Sequence, residues 1–124
     1  MTKEFYYKEL SHQIIGSAFK VHTALGSHLP EHCYEHALIL ELTKSGIPCV
    51  EQQRFEVYYH DQHVGHFFTD IIVDNKIVLE LKSDERLTLN HESQLFTYLR
   101  VTKLKVGYLL NFGNKSLQFK RLIL

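Results

Sequence analysis

The sequence predicts an α/β fold, with one domain in which a central mixed β-sheet is flanked by α-helices. Three observations lead there. Apolar residues recur at helical spacing early in the chain and again after Asn90, while the stretch from Val50 to Lys82 shifts toward a period of two. The two most apolar runs, Ile71 to Val73 and Ile77 to Leu81, are β-branched and short, as strands buried on both faces are. A length of 124 residues with 44% hydrophobic content suits one core, so residues 1–124 are expected to form one domain.

The elements follow in order. Glu9 to Leu25 reads as a first helix, because Ile14, Ala18, Val21 and Leu25 recur at spacings of three and four, and Gly26-Ser27 breaks it. Pro30 suits the first turn of a second helix, Pro30 to Lys44, which carries Tyr34, Leu38 and Leu42 on one stripe. Gly46 and Pro48 end it. A strand is expected at Phe55 to Tyr59 and a turn around Asp61-Gln62, followed by the two apolar strands joined at Asp74-Asn75. Asn90 to Thr102 returns to helix. Lys105 to Asn111 and Ser116 to Leu122 read as strands divided by Phe112-Gly113-Asn114.

Formal net charge is zero, which argues against a protein held on nucleic acid by bulk charge alone. The charge is uneven, however. No acid follows Glu92, whereas six basic residues do: Arg100, Lys103, Lys105, Lys115, Lys120 and Arg121. That quarter is a candidate phosphate-facing surface, with Lys120 and Arg121 as its contacts, or else a solvated basic face. The two cysteines, Cys33 and Cys49, lack metal-ligand spacing and fit reduced thiols. With no apolar leader and no run long enough to span a membrane, the expectation is a soluble, cytoplasmic protein.

The chemistry concentrates in Thr69 to Lys82. Burying Asp70, Glu80 and Lys82 among such strands costs several kcal/mol unless they are paired, hydrogen-bonded or holding a metal. An acid followed by acid-x-lysine on the next strand is what metal-dependent phosphodiester hydrolysis uses. The carboxylates offer hard oxygen ligands, and Lys82 lies two residues beyond Glu80 on the same strand face. Register decides whether the acids meet. A two-residue turn at Asp74-Asn75 sets Asp70 opposite Leu79, whereas a three-residue connection, Asp74-Asn75-Lys76, or an equivalent bulge, sets it opposite Glu80. A metal site demands the longer connection.

Four segments in order, Gly26 to Leu38, Thr69 to Lys82, Gln94 to Leu99 and Gly107 to Gly113, resemble the PD-(D/E)xK nuclease superfamily and, within it, small bacterial proteins named for a GxxExxY motif. The resemblance implies a restriction-endonuclease-like fold, with Asp70, Glu80 and Lys82 as the core triad, Glu31 as an accessory acid and Gln94 as a polar contact. One departure is visible: His28 stands where that motif has its named glycine.

On this reading the protein is a divalent-metal-dependent nuclease acting on DNA. Asp70, Glu80 and the Leu81 carbonyl hold Mg²⁺ or Mn²⁺, Glu31 holds a second ion or its water, and Lys82 serves the attacking water and the transition state. Gln94 and Tyr98, four residues apart on one helix face, point toward the same edge, with Tyr98 and the basic residues contacting nucleic acid. Each has an ordinary alternative: a helix N-terminal charge for Glu31, packing or capping for Gln94 and Tyr98, and a structural ion triad for the rest. A homodimer is compatible with so small a domain. The competing function is a binding module that keeps the fold without cleaving. A third class is histidine-based metal binding by His28, His32 and His36, or by His60, His63 and His66, for which solvated surface histidines are the simpler reading.

Overall fold

The computed structural model describes residues 6–124. Two helices come first, α1 (Lys8–Leu25) and α2 (Glu31–Lys44), then strands β1 (Cys49–Tyr59), β2 (Gln62–Val73) and β3 (Ile77–Lys82), helix α3 (Leu89–Thr102), and strands β4 (Val106–Asn111) and β5 (Gln118–Ile123). The strands form one sheet in the order β1-β2-β3-β4-β5. Neighbours are antiparallel except β3 and β4, whose parallel pairing requires the crossover that α3 supplies. This is the mixed sheet flanked by helices that the sequence predicts, in the arrangement that the resemblance implies.

Both faces of the sheet are covered, and strand alternation decides which side chain serves which helix. Ile71, Val73, Ile77, Leu79 and Leu81 pack with Ile14, Ala18 and Val21 of α1 and Tyr34, Leu38 and Leu42 of α2. Ile72, Val78, Leu109 and Leu122 pack with Leu95 and Leu99 of α3. Gly107 permits that second contact, because a Cβ there would stand only 3.0 Å from Leu95. Leu95 and Leu99 are fully buried, and truncating either to alanine is worth about 3 kcal/mol of stability.

The structure extends the hairpin. β1 begins at Cys49, not at Phe55, and the turn is His60-Asp61, both with positive φ, the signature of a two-residue type I′ turn. Pro30 lies just outside α2 as its N-cap, not within its first turn. His28 lies in the loop ahead of the helix, so no His28-His32-His36 stripe exists.

The long hairpin changes partner along its length. Cys49 packs on the α1 and α2 side, whereas Phe55, in the same phase of alternation, packs on the α3 side. Phe67 stacks on Tyr98 of α3 at 4.3 Å, although Ile71, again in phase with it, belongs to the opposite core. The change falls at one step. Glu51 pairs with Ile71 and Gln53 with Thr69, but Gln52 and Asp70 between them do not pair, and Gln52 has φ 51. A non-glycine residue in that region stores local strain, commonly at a functional position.

Candidate active site

The connection between β2 and β3 has three residues, 74–76, and Val73 pairs with Ile77 across it. Asp74 and Asn75 both take positive φ, which their short polar side chains tolerate. The ladder continues through Ile72 with Val78 and Ile71 with Leu79, then stops. One further step sets Asp70 across from Glu80. In place of ladder bonds, the two acids exchange side-chain bonds with the opposing main chain. The Asp70 N–H donates to Glu80 Oε2 at 2.9 Å, and the Leu81 N–H donates to Asp70 Oδ2 at 2.8 Å. Because the N–H and C=O of a strand residue point the same way, the Leu81 carbonyl is directed to the side on which Asp70 lies.

Glu80 is 5% exposed. Burial, reinforced by the neighbouring Asp70 charge, raises its carboxyl to about 9. Lys82, two residues on, reaches Gln94 of α3, with Nζ 3.2 Å from Oε1. Gln94 also bonds Tyr98, whose phenol is held above its usual range by burial and then by the Glu80 and Asp70 charges. Glu31 opens α2 at the mouth of this corner and accepts the Ser83 main-chain N–H. Its carboxyl is pushed up by burial, partly offset by Lys82.

The loop that presents Glu31 is fixed by Tyr34, which is fully buried and stacked on Phe112 at 4.6 Å. Its hydroxyl donates to the Gly26 carbonyl at 2.7 Å and accepts the Leu29 N–H at 3.1 Å. Ser83 Oγ donates to the Leu29 carbonyl at 3.1 Å. Ser83 and Asp84 in turn lie against Gly113, where any Cβ would collide with their backbone. Buried Asn111 locks the same strap, accepting from the Asp84 and Gly113 N–H groups and donating to the Asp84 carbonyl and Gln118.

Two further polar residues join the corner without being singled out by the sequence. Glu35, one helical turn beyond Glu31 and 7% exposed, is pushed up to about 8 by burial and by its bond with Glu51. Gln52 Nε2 donates to both Glu35 oxygens, at 3.0 and 3.1 Å, and reaches Asp70 Oδ1 at 3.4 Å. The signals available were an acid at helical spacing from Glu31 and a polar run at residues 51–53 ahead of an apolar strand. A cleft of about 580 Å³ opens here, lined by Glu31, His32, Glu35, His36, Glu51, Gln52 and Asp70.

The structure thus brings together Glu31, Asp70, Glu80, Leu81, Lys82, Gln94 and Tyr98. Lys120 and Arg121 lie apart from them on β5, the far edge strand. Lys120 pairs with Leu109 and Arg121 with Tyr108, so alternation sends them to opposite faces. Arg121 donates to the Tyr6 carbonyl at 2.7 Å and lines a separate depression of about 490 Å³ beside α1.

Residues 8–122 match the family described as the PD-(D/E)XK nuclease superfamily. Among solved structures, the crystal structure of SSO0001 superposes with a TM-score of 0.61 at 16% identity over 98% of this chain. This chain spans 60% of the length of that protein, so the likeness concerns the fold. No curated protein matches. Among the described residues, no helix is long and apolar enough to cross a membrane.

Proposed function

The chain belongs to the PD-(D/E)XK nuclease superfamily, and from that premise we propose that it hydrolyses phosphodiester bonds in DNA with Mg²⁺ or Mn²⁺. The observation that carries this reading is the reciprocal Asp70–Glu80 arrangement at the end of the β2–β3 ladder. The buried Glu80 carboxyl lies against the Asp70 carboxyl, a pairing that a cation between them would relieve, and their donors are the hard oxygens that Mg²⁺ and Mn²⁺ take. The residues therefore fit a divalent cation, held by Asp70, Glu80 and the Leu81 carbonyl, with Glu31 supplying a further carboxylate at the mouth. When bound, the cation supplies Lewis-acid polarisation of the scissile phosphate.

The chain's own groups do the rest. Lys82 Nζ, steadied by Gln94, donates to the phosphate oxygens as they gain charge and orients the attacking water. Asp70, fixed by the Leu81 N–H, keeps its carboxylate directed into the corner. Tyr98, stacked on Phe67, offers a rigid aromatic contact for the nucleic acid. Glu31 and Tyr34 also support placement in the GxxExxY group. His28, in place of that motif's glycine, has φ 76, the backbone conformation that glycine adopts without strain.

The test is cleavage of single-stranded, duplex and branched DNA with Mg²⁺ or Mn²⁺ against a chelated control. Lys82→Ala should keep cation and DNA binding and lose about two or more orders of magnitude in rate, as expected of a group that acts in the transition state. Binding without cleavage in either metal would establish the alternative, a non-cleaving module on the nuclease fold.

A further inference from the structure

Beside the Asp70–Glu80 pair lies a second cluster that the reaction above does not use. Glu35 and His36 of α2 and Glu51 of β1 each offer one ligand atom, and these atoms lie within 4.8 Å of one another. We propose that Glu35, His36 and Glu51 hold a transition-metal ion of the zinc, cobalt and nickel class, in a site separate from the Asp70–Glu80 cation.

The geometry of the contacts argues for it. His36 Nε2 is 2.9 Å from Glu51 Oε2, yet that oxygen is shielded from solvent and makes no hydrogen bond among the described residues. The two atoms converge without the direction that an N–H···O bond requires, as ligands facing a common centre do. Glu35 brings a second carboxyl against Glu51 from the core side while only 7% exposed. Gln52 Nε2 bonds both Glu35 oxygens, the kind of support that orients a ligating carboxylate.

The donor set selects the metal class. Imidazole favours zinc, cobalt and nickel over magnesium, and three protein ligands leave an open coordination position. The ion would tie α2 to the edge strand next to strained Gln52. None of the three ligands belongs to the triad, so the site stands whether or not the chain cleaves DNA.

The full metal-free chain is titrated with Zn²⁺ by calorimetry and with Co²⁺ by visible absorption. One site is expected to survive in the Asp70→Asn, Glu80→Gln double variant, with its affinity changed by no more than about tenfold, since Gln52 couples Glu35 to Asp70. His36→Ala and Glu51→Gln should each weaken it by about tenfold or more, whereas His63→Ala, at a hairpin position paired with Glu56, should not. His36 is exposed, so its replacement leaves the core intact. Its ring resonances should shift on Zn²⁺ addition in the parent and in the acid double variant alike. Unchanged affinity in His36→Ala, loss of the site in the acid double variant, or no Zn²⁺ binding tighter than about 100 µM would each overturn the proposal.

Discussion

Asn111 and Glu80 are both buried polar side chains on adjacent parallel strands, yet they live in opposite circumstances. Asn111 fills its whole hydrogen-bonding capacity: Oδ1 accepts two main-chain N–H groups at 3.0 and 3.1 Å, and Nδ2 donates at 2.9 and 3.0 Å. Glu80 accepts the Asp70 N–H and otherwise faces a second carboxyl. The first arrangement is complete within the protein and stabilises it. The second leaves a carboxyl facing a carboxyl, and on the proposed function the difference separates a structural polar residue from one kept for chemistry.

The comparison breaks most visibly in activity. Glu80→Gln should abolish detectable Mn²⁺ binding at this corner by calorimetry and reduce cleavage by about two or more orders of magnitude, while the cation-free protein loses no stability. Asn111→Ala should do the reverse where it is measured by urea unfolding. It leaves the part-buried groups of Asp84, Gly113 and Gln118 unpaired and should cost about 2–4 kcal/mol. Equal stability losses in the two variants would erase the distinction.

pH sharpens it. The native Glu80 carboxyl titrates near 9, against an ordinary value of 4.5. Between those values the folded chain keeps a proton that the unfolded chain has released, so stability falls as pH rises across that window. Glu35, titrating near 8, adds to the fall over most of it. The melting temperature of the cation-free protein should therefore drop from pH 5.5 to 8.5, and Glu80→Gln should flatten the slope.

A smaller effect belongs to Tyr34. Tyr34→Phe keeps the stack on Phe112 but removes both hydroxyl bonds that hold the Glu31 loop, and should cost about 1 kcal/mol by urea unfolding. The smallest concerns the basic quarter. Because Lys120 and Arg121 face opposite sides of β5, Lys120→Ala should lower the salt-dependence slope of DNA binding by about one unit at most. Arg121→Ala should register as lost stability through its bond to Tyr6.

What was legible in the sequence was what local rules control. Acids and a lysine inside β-branched runs marked Asp70, Glu80 and Lys82, and counting the residues of one turn was enough to say which register brings the acids together. Glu35 was not legible because it looks like one more surface acid beside the Tyr34, Leu38 and Leu42 stripe, and only the arrival of β1 buries it. Gln52 was missed for the same reason, since its bent backbone answers to Asp70 eighteen residues away. Composition pointed to a basic C-terminal surface, but composition carries no information about faces, and alternation divides the two residues.

Gly113 lies on a hairpin that holds none of the acids, yet the absence of one carbon atom there sets where Ser83 and Asp84 can lie. Through Ser83, that clearance reaches the Leu29 carbonyl and the Glu31 carboxyl. An alanine at 113 would act as a wedge driven in from behind, displacing the strap and loosening Glu31, which it never touches. Such a variant would retain every acid and lysine of the corner while the corner's geometry was lost, so an inspection confined to those side chains would miss the change.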